Sequence, residues 1–277
     1  MEPRLYGKTL TAELNRKGVL DVDTVKGCSL GMAANPDGGC YGACYAYNTA
    51  RFRGINFRQS IVRRVYGGFH AGKIEAAVAR APHGFFNVGA MGDPSHAWEH
   101  TVRIVEWLAP LAVPIVLTKH WLTATDGQMA RMVACGTIVN TSVSALDSDT
   151  HLAHRMTQIA RYDGMGGVSV ARVVSCDFNK GDPDGARMAA TQDRLFDLHP
   201  MIDNPLRVPS THGFVRCGII HTREVSDFLG TRTVSIAHRD AYVGHCDACP
   251  DKCGVAFAPV DHPRPRPAQL SLFKEAA

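Results

Sequence analysis

The 277-residue chain has no apolar run long enough to cross a membrane. Its longest, such as Trp107-Leu-Ala-Pro-Leu-Ala-Val-Pro-Ile-Val-Leu117, are broken by proline and fall well short of the roughly 18 consecutive apolar residues of a spanning helix. The amino terminus, Met-Glu-Pro-Arg-Leu-Tyr, lacks an apolar signal region. No repeat of solenoid period is present, and the only compositionally biased stretch is His262-Pro-Arg-Pro-Arg-Pro267, a semi-rigid extended linker. A large excess of charge of either sign is also lacking. Thirty lysines and arginines against 26 acids leave +4, which permits a nucleic-acid partner without requiring one. With 45% hydrophobic and 20% charged residues, collagen-like, disordered and coiled-coil classes are excluded. These absences predict a globular, cytoplasmic protein with no membrane role.

Cysteine, by contrast, is plentiful. Nine cysteines in a reducing compartment point to metal or redox chemistry rather than disulfides. Six fall in two tight groups, Cys28, Cys40 and Cys44 near the start and Cys246, Cys249 and Cys253 near the end. Cys135, beside Gly136, reads as a small core residue, and Cys176 and Cys217 are likewise isolated.

Between the groups, strand-type runs alternate with helical stretches. The runs are 19–25, 85–89, 114–118, 137–143, 168–174 and 214–220; the helices are 101–108, 127–133, 150–160 and 187–198. Such alternation predicts an α/β protein with about six parallel strands, a full or partial (β/α) barrel or an open doubly wound sheet. In either case the functional groups belong at the carboxyl ends of the strands. The expected organisation is a body over 1–240, a cysteine-rich metal module over 241–258 and a linker with a tail over 259–277.

The first group lies in Gly27-Cys-Ser-Leu-Gly-Met-Ala-Ala-Asn-Pro-Asp-Gly-Gly-Cys-Tyr-Gly-Ala-Cys-Tyr-Ala46, spaced Cys-x11-Cys-x3-Cys. Five glycines from Gly27 to Gly42 suit a loop wrapped closely around a cluster. Three thiolates leave one metal position open to substrate or cofactor. The alternatives are structural zinc with a fourth ligand elsewhere, or buried thiols.

This loop resembles that of the radical S-adenosylmethionine superfamily, in particular its atypical phage-type members with Gly-Cys, a spacer, Cys and then Cys-Tyr-Ala. The resemblance implies that Cys28, Cys40 and Cys44 hold a 4Fe-4S cluster whose open iron is chelated by S-adenosylmethionine. The family's usual spacing is Cys-x3-Cys-x2-Cys; Cys40 and Cys44 fit it, Tyr47 stands at the expected third position, and Cys28 substitutes. The resemblance further implies cofactor contacts from Tyr45 to the adenine, from Gly92 and Asp93 in Gly89-Ala-Met-Gly-Asp-Pro94 to the methionine amino group, and from Asn140, Ser142 and Arg172 to ribose or carboxylate. A tight Gly-Asp-Pro turn and a paired structural arginine are the plainer readings of the last two sets. Lys119, with His120, is placed for substrate contact or as a strand cap, and Cys176 as a hydrogen-atom donor at the barrel mouth.

His245-Cys-Asp-Ala-Cys-Pro-Asp-Lys-Cys-Gly254 packs three cysteines as Cys-x2-Cys-x3-Cys, a density that predicts metal binding. The Cys-Pro pair resembles ferredoxin-type ligation and implies a second iron-sulfur cluster; zinc with His245 is the alternative, and Cys217 another candidate fourth ligand.

The tail Gln269-Leu-Ser-Leu-Phe273 resembles the bacterial sliding-clamp-binding pentapeptide, with Gln269, Leu270, Leu272 and Phe273 as the pocket-filling positions; an intramolecular packing strand is the alternative. Tethering to a clamp raises the effective concentration at DNA without a strongly basic body. Arg51-Phe-Arg53, Arg58 and Arg63-Arg64 are candidate phosphate contacts. The reading that follows is a radical S-adenosylmethionine enzyme modifying or repairing DNA, fed by an electron donor such as flavodoxin. A nucleotide or other small-molecule substrate, or a non-catalytic zinc-binding DNA adaptor, are the alternatives.

Overall fold

Short β-branched runs set six parallel strands, and the computed structural model describes them within residues 8–36, 38–227, 230–238 and 241–258. The strands are β1 (Leu20–Asp21), β2 (Phe85–Val88), β3 (Val113–Thr118), β4 (Ile138–Val143), β5 (Val168–Val173) and β6 (Met201–Asp203). They lie side by side in chain order, and Glu13–Leu14 adds an antiparallel edge beside β1, completing a seven-stranded sheet. The two ends of this sheet do not pair, so it is an open α/β sheet compatible with a partial barrel and not a closed one. Among the described residues no helix is long and apolar enough to cross a membrane.

Helices α4 (Trp98–Leu108), α5 (Asp126–Ala134), α6 (Asp149–Gly164) and α7 (Pro183–Phe196) follow β2 to β5. Their starts are written locally. Thr125 and Gln128 form a reciprocal capping box for α5, Ser148 caps α6, and Asp182 caps α7 with Pro183 in its first turn. The expected helices at 101–108, 127–133, 150–160 and 187–198 are these four.

Strand alternation sends one side chain set to the helices and the other to the opposite face. Phe86, Val88, Val116 and Val139 pack with Val102, Val105 and Met129 of α4 and α5. Phe85, Ile115, Ile138, Val170 and Ile202 face away from α4 and α5. They pack instead against Cys246, Cys253, Val255 and Ala258 of the carboxy-terminal module. The module thus packs on the face of the sheet that a barrel would enclose.

Two sequence-based strands differ. The run 19–25 splits into β1 and a second strand, Val25–Lys26, which pairs in another sheet with Ile61–Arg64. The run 214–220 is mostly not strand: His212 caps a short helix, Gly213–Arg216, followed by Gly218 at φ +75°, and only Ile220 enters a strand, Ile220–His221, which pairs antiparallel with Asp177–Phe178 outside the seven-stranded sheet. The sixth parallel strand is Met201–Asp203, too short to show a periodicity.

Candidate metal and cofactor site

The loop after Val25–Lys26 carries the first cysteine group at the carboxyl edge of the sheet. Gly27 (φ +84°) forms a parallel bridge with Gly92, and its N–H donates to the Met91 carbonyl at 3.0 Å. A Cβ on Gly27 would stand 2.0 Å from the Gln59 carbonyl oxygen, and one on Gly92 would stand 2.5 Å from that of Val25, so both positions require glycine. Gly92 thus brings two backbones together. Cys28 then caps α1 (Ser29–Ala34), and Cys40 and Cys44 follow around a turn ending at α2 (Tyr45–Phe52).

The three thiols converge on a cradle of small residues. The vacant Cβ position of Gly31 is 2.7 Å from Cys28 Sγ and 3.5 Å from Cys40 Sγ; that of Gly39 is 3.7 Å from Cys44 Sγ. Burial pushes the Cys40 thiol up to about 11, with Cys44 and Asp93 adding to it and Lys119 opposing. Burial raises Cys28 and Cys44 as well. Bound metal would have to displace these protons. His96, whose own basicity burial lowers, places Nε2 3.5 Å from Cys28 Sγ.

Among the described residues no three His, Cys, Asp or Glu side chains are arranged to hold one metal ion. Thiolates on a single zinc, at about 2.3 Å each, sit roughly 3.8 Å apart in a tetrahedral site. Thiolates on separate irons of a cluster stand farther apart.

Two buried carboxylates hold the loop opposite. Asp23 accepts from the backbone N–H of Gly89 (3.0 Å), Ala90 (2.6 Å) and Met91 (3.0 Å). Burial still raises it above the usual carboxylate range. Asp93 accepts from Ser95 N (2.9 Å), Thr118 Oγ1 (2.8 Å) and Lys119 N (2.7 Å). Asp93 thus caps its turn with three internal donors. Sequence reasoning missed Asp23; its one signal was an acid inside the apolar run Val19-Leu-Asp-Val-Asp-Thr-Val25.

Tyr41, between two cysteines at φ +59°, was also missed. Its hydroxyl donates to Asp147 Oδ2 at 3.0 Å and accepts from Lys119 Nζ, while His212 Nε2 bonds its carbonyl at 2.8 Å. Arg155 pairs with the same aspartate and donates from Nε to the Lys119 carbonyl at 2.8 Å. Burial depresses Lys119, and Asp147 opposes that. Burial acts to raise Asp147, but the Lys119 and Arg155 cations bring it below the usual range. Lys119 thus belongs to a buried charge network anchoring the cysteine loop. His120 is buried beside it, with Nε2 3.2 Å from Thr141 Oγ1.

Tyr45 opens α2 and its hydroxyl donates to the Ala90 carbonyl, across the same mouth. Asn140 donates to the Cys253 carbonyl at 3.0 Å, its Oδ1 buried without a protein partner. Arg172 donates to Asn204 Oδ1 at 3.2 Å, and its charge works against the burial that raises the Cys253 thiol. Ser142 lies opposite Arg172 in the β4–β5 register. Asn140 and Arg172 therefore engage the carboxy-terminal module. Cys176 is fully buried among Ala145, Val174, Phe178 and Leu206, and its thiol is pushed up to about 12 by burial. It packs in a core cluster against which Tyr41 and Ala43 of the cysteine loop also lie.

In the second group, Cys246 and Cys253 insert beneath the open face while Cys249 lies between them on a short turn. Burial and the neighbouring thiols push Cys246 up to about 11, with Lys17 and Arg172 opposing. His245 Nδ1 is 2.9 Å from Asp247 Oδ2, its ring packed on Gly18. Cys217 lies exposed at the end of its short helix, among residues packed in a different core cluster. The clamp-like residues Gln269, Leu270, Leu272 and Phe273 lie outside the described residues.

Comparison with protein-family models, curated proteins and solved structures returned no match.

Proposed function

We propose that this protein is a radical S-adenosylmethionine enzyme acting on DNA, by base modification or lesion repair. The observation that carries the reading is the convergence of Cys28, Cys40 and Cys44 on a glycine cradle at the carboxyl edge of a parallel sheet. That edge is where open α/β sheets and barrels place their chemistry. When bound, a 4Fe-4S cluster with one open iron supplies an electron that cleaves S-adenosylmethionine, giving a 5′-deoxyadenosyl radical able to abstract hydrogen from substrate.

The chain's own groups hold that site. Cys28, Cys40 and Cys44 are the ligands, and His96 supports Cys28. Asp23 and Asp93 fix the 89–93 backbone opposite, and Tyr45 stands at the mouth. The Tyr41–Lys119–Asp147–Arg155 network pins the loop and sets positive charge beside Cys40 and Cys44, favouring their ionised forms. Cys246, Cys249 and Cys253, with Lys17 and Arg172 opposing their charge, hold a second iron-sulfur cluster at the other end of the open face. In this reading a flavodoxin-type donor supplies electrons, and the tail recruits the cytoplasmic enzyme to a sliding clamp.

The test is anaerobic reconstitution with iron and sulfide, reduction in the presence of S-adenosylmethionine, and assay of 5′-deoxyadenosine in wild type and Cys40→Ala. Product from wild type and none from the variant supports the reading. Stoichiometric zinc, no iron uptake and no cleavage would overturn it and leave a structural adaptor.

A further inference from the structure

The positive charge of this chain is concentrated in one stretch. Residues 38–74 contain six of the thirty lysines and arginines and none of the 26 acids, so the stretch carries +6 and the remainder −2. It is also the stretch that contains Cys40 and Cys44 and forms one wall of the candidate site.

Aromatic side chains are left in water there. Phe52 is 94% exposed, and Tyr45, Tyr66 and Phe69 are exposed as well. A nearly bare phenylalanine forfeits the burial free energy of a core one, and its position makes it more than an isolated surface residue. Ala46 and Ala50 bury the inner face of α2, while Tyr45, Asn48, Arg51 and Phe52 are exposed. Seven residues at 3.6 per turn bring Tyr45 and Phe52 to within about 20° of one face, roughly 10 Å apart along the axis. One end of this stripe is the site mouth, where Tyr45 bonds the Ala90 carbonyl. The other is Phe52, flanked by exposed Arg51 and Arg53, with exposed Arg58 in the next turn donating to the Pro36 carbonyl at 2.8 Å.

We propose that this stripe is a track for single-stranded or locally opened DNA. Phe52 stacks on an unpaired base, Arg51, Arg53 and Arg58 bind the adjoining phosphates, and α2 leads the strand toward Tyr45 and the cysteine loop. A base reacting at the sheet edge has to leave its duplex, and an aromatic platform among cations suits unpaired bases of any sequence. The destination of the track rests on the radical-enzyme reading; binding of the strand does not.

The full-length reconstituted protein is titrated into a fluorescein-labelled single strand longer than the roughly 16 nucleotides of a large single-strand site, and anisotropy is followed across a salt series. Phe52→Ala is expected to weaken binding about five- to hundredfold with the salt dependence unchanged, because a stack is lost and no charge. Combined Arg51→Gln, Arg53→Gln and Arg58→Gln is expected to reduce the slope of log K against log salt by about 2, from roughly 0.7 per phosphate on a single strand. Arg187→Gln, on the exposed face of α7, serves as the reference substitution and is expected to bind as wild type. Phe52 is too exposed for its loss to unfold the chain, which a thermal melt checks. The proposal is overturned if Phe52→Ala binds within twofold of wild type, if the triple variant keeps the full salt slope, or if RNA of the same sequence binds more tightly than DNA. The same wild-type preparation is assayed for 5′-deoxyadenosine. Binding with these variant effects but no product removes the radical chemistry and leaves the track.

Discussion

Gly31→Ala sets two effects of one methyl group against each other. Gly31 lies in α1, where alanine is ordinarily favoured over glycine by about 0.5–1 kcal/mol. Its Cβ, however, would stand 2.7 Å from Cys28 Sγ, 3.4 Å from the Trp121 ring and 3.5 Å from Cys40 Sγ. Ordinary contact begins at 3.4 Å, so Cys28 Sγ has to retreat by about 0.7 Å. That is more than three times the roughly ±0.2 Å tolerance of metal–ligand distances. Without metal the thiol has only to rotate away, so overpacking of about 1 kcal/mol is largely offset by the helical gain. The expected result is an apo-protein of nearly wild-type Tm that takes up less than about half the iron and sulfide. Gly72→Ala, in α3 (Gly67–Val78) with open space around it, is the matched helical substitution and should leave iron content unchanged. Wild-type iron and sulfide in Gly31→Ala, with an unaltered electron paramagnetic resonance signal, would refute the claim that Cys28 and Cys40 share one cluster.

Two further predictions concern the carboxylates. Burial, with Asp23 nearby, raises Asp21 to about 7 against hydrogen bonds from Asn15 and Asn87. Its folded form therefore holds the proton more tightly than its unfolded form, so the stabilisation is complete below about pH 4 and is lost as pH rises through 7. At about 1.4 kcal/mol per unit this reaches an order of 4 kcal/mol, and Asp21→Asn should flatten the fall in Tm between about pH 5 and 8 and exceed wild type at the upper end. A variant less stable than wild type there would refute the assignment. Asp23→Ala strips the acceptor from three loop N–H groups, at roughly 1–3 kcal/mol for each left buried and unpaired. Urea unfolding should therefore show a loss of about 3 kcal/mol or more, and a loss below about 1 kcal/mol would mean that the loop holds itself.

The parallel strands and the four helices between them were legible because each is encoded within its own segment. Val113–Thr118 and Ile138–Val143 are β-branched runs bounded by turns, and Thr125, Ser148 and Asp182 write the helix starts. Met201–Asp203 was not legible, since three residues carry no period and its place in the sheet comes from pairing with β5. The run 214–220 failed for the opposite reason: its apolar content read as a strand, while the His212 cap and Gly218 imposed a helical turn.

At the site, spacing revealed which cysteines group, because ligands close in sequence have little freedom to separate. It did not reveal what the strand residues between them face. Asn140 and Arg172 stand on the side of the sheet away from the helices, and a sequence shows that side but not what fills it. Here the filler is a segment more than eighty residues later, whose Cys253 carbonyl accepts from Asn140 and whose Cys253 thiol feels the Arg172 charge. Arg172 favours the ionised forms of the Cys246 and Cys253 thiols against their burial. Loss of that guanidinium therefore removes a favourable charge from Cys246 and Cys253 and leaves Asn204 without its donor, whichever metal the thiols hold.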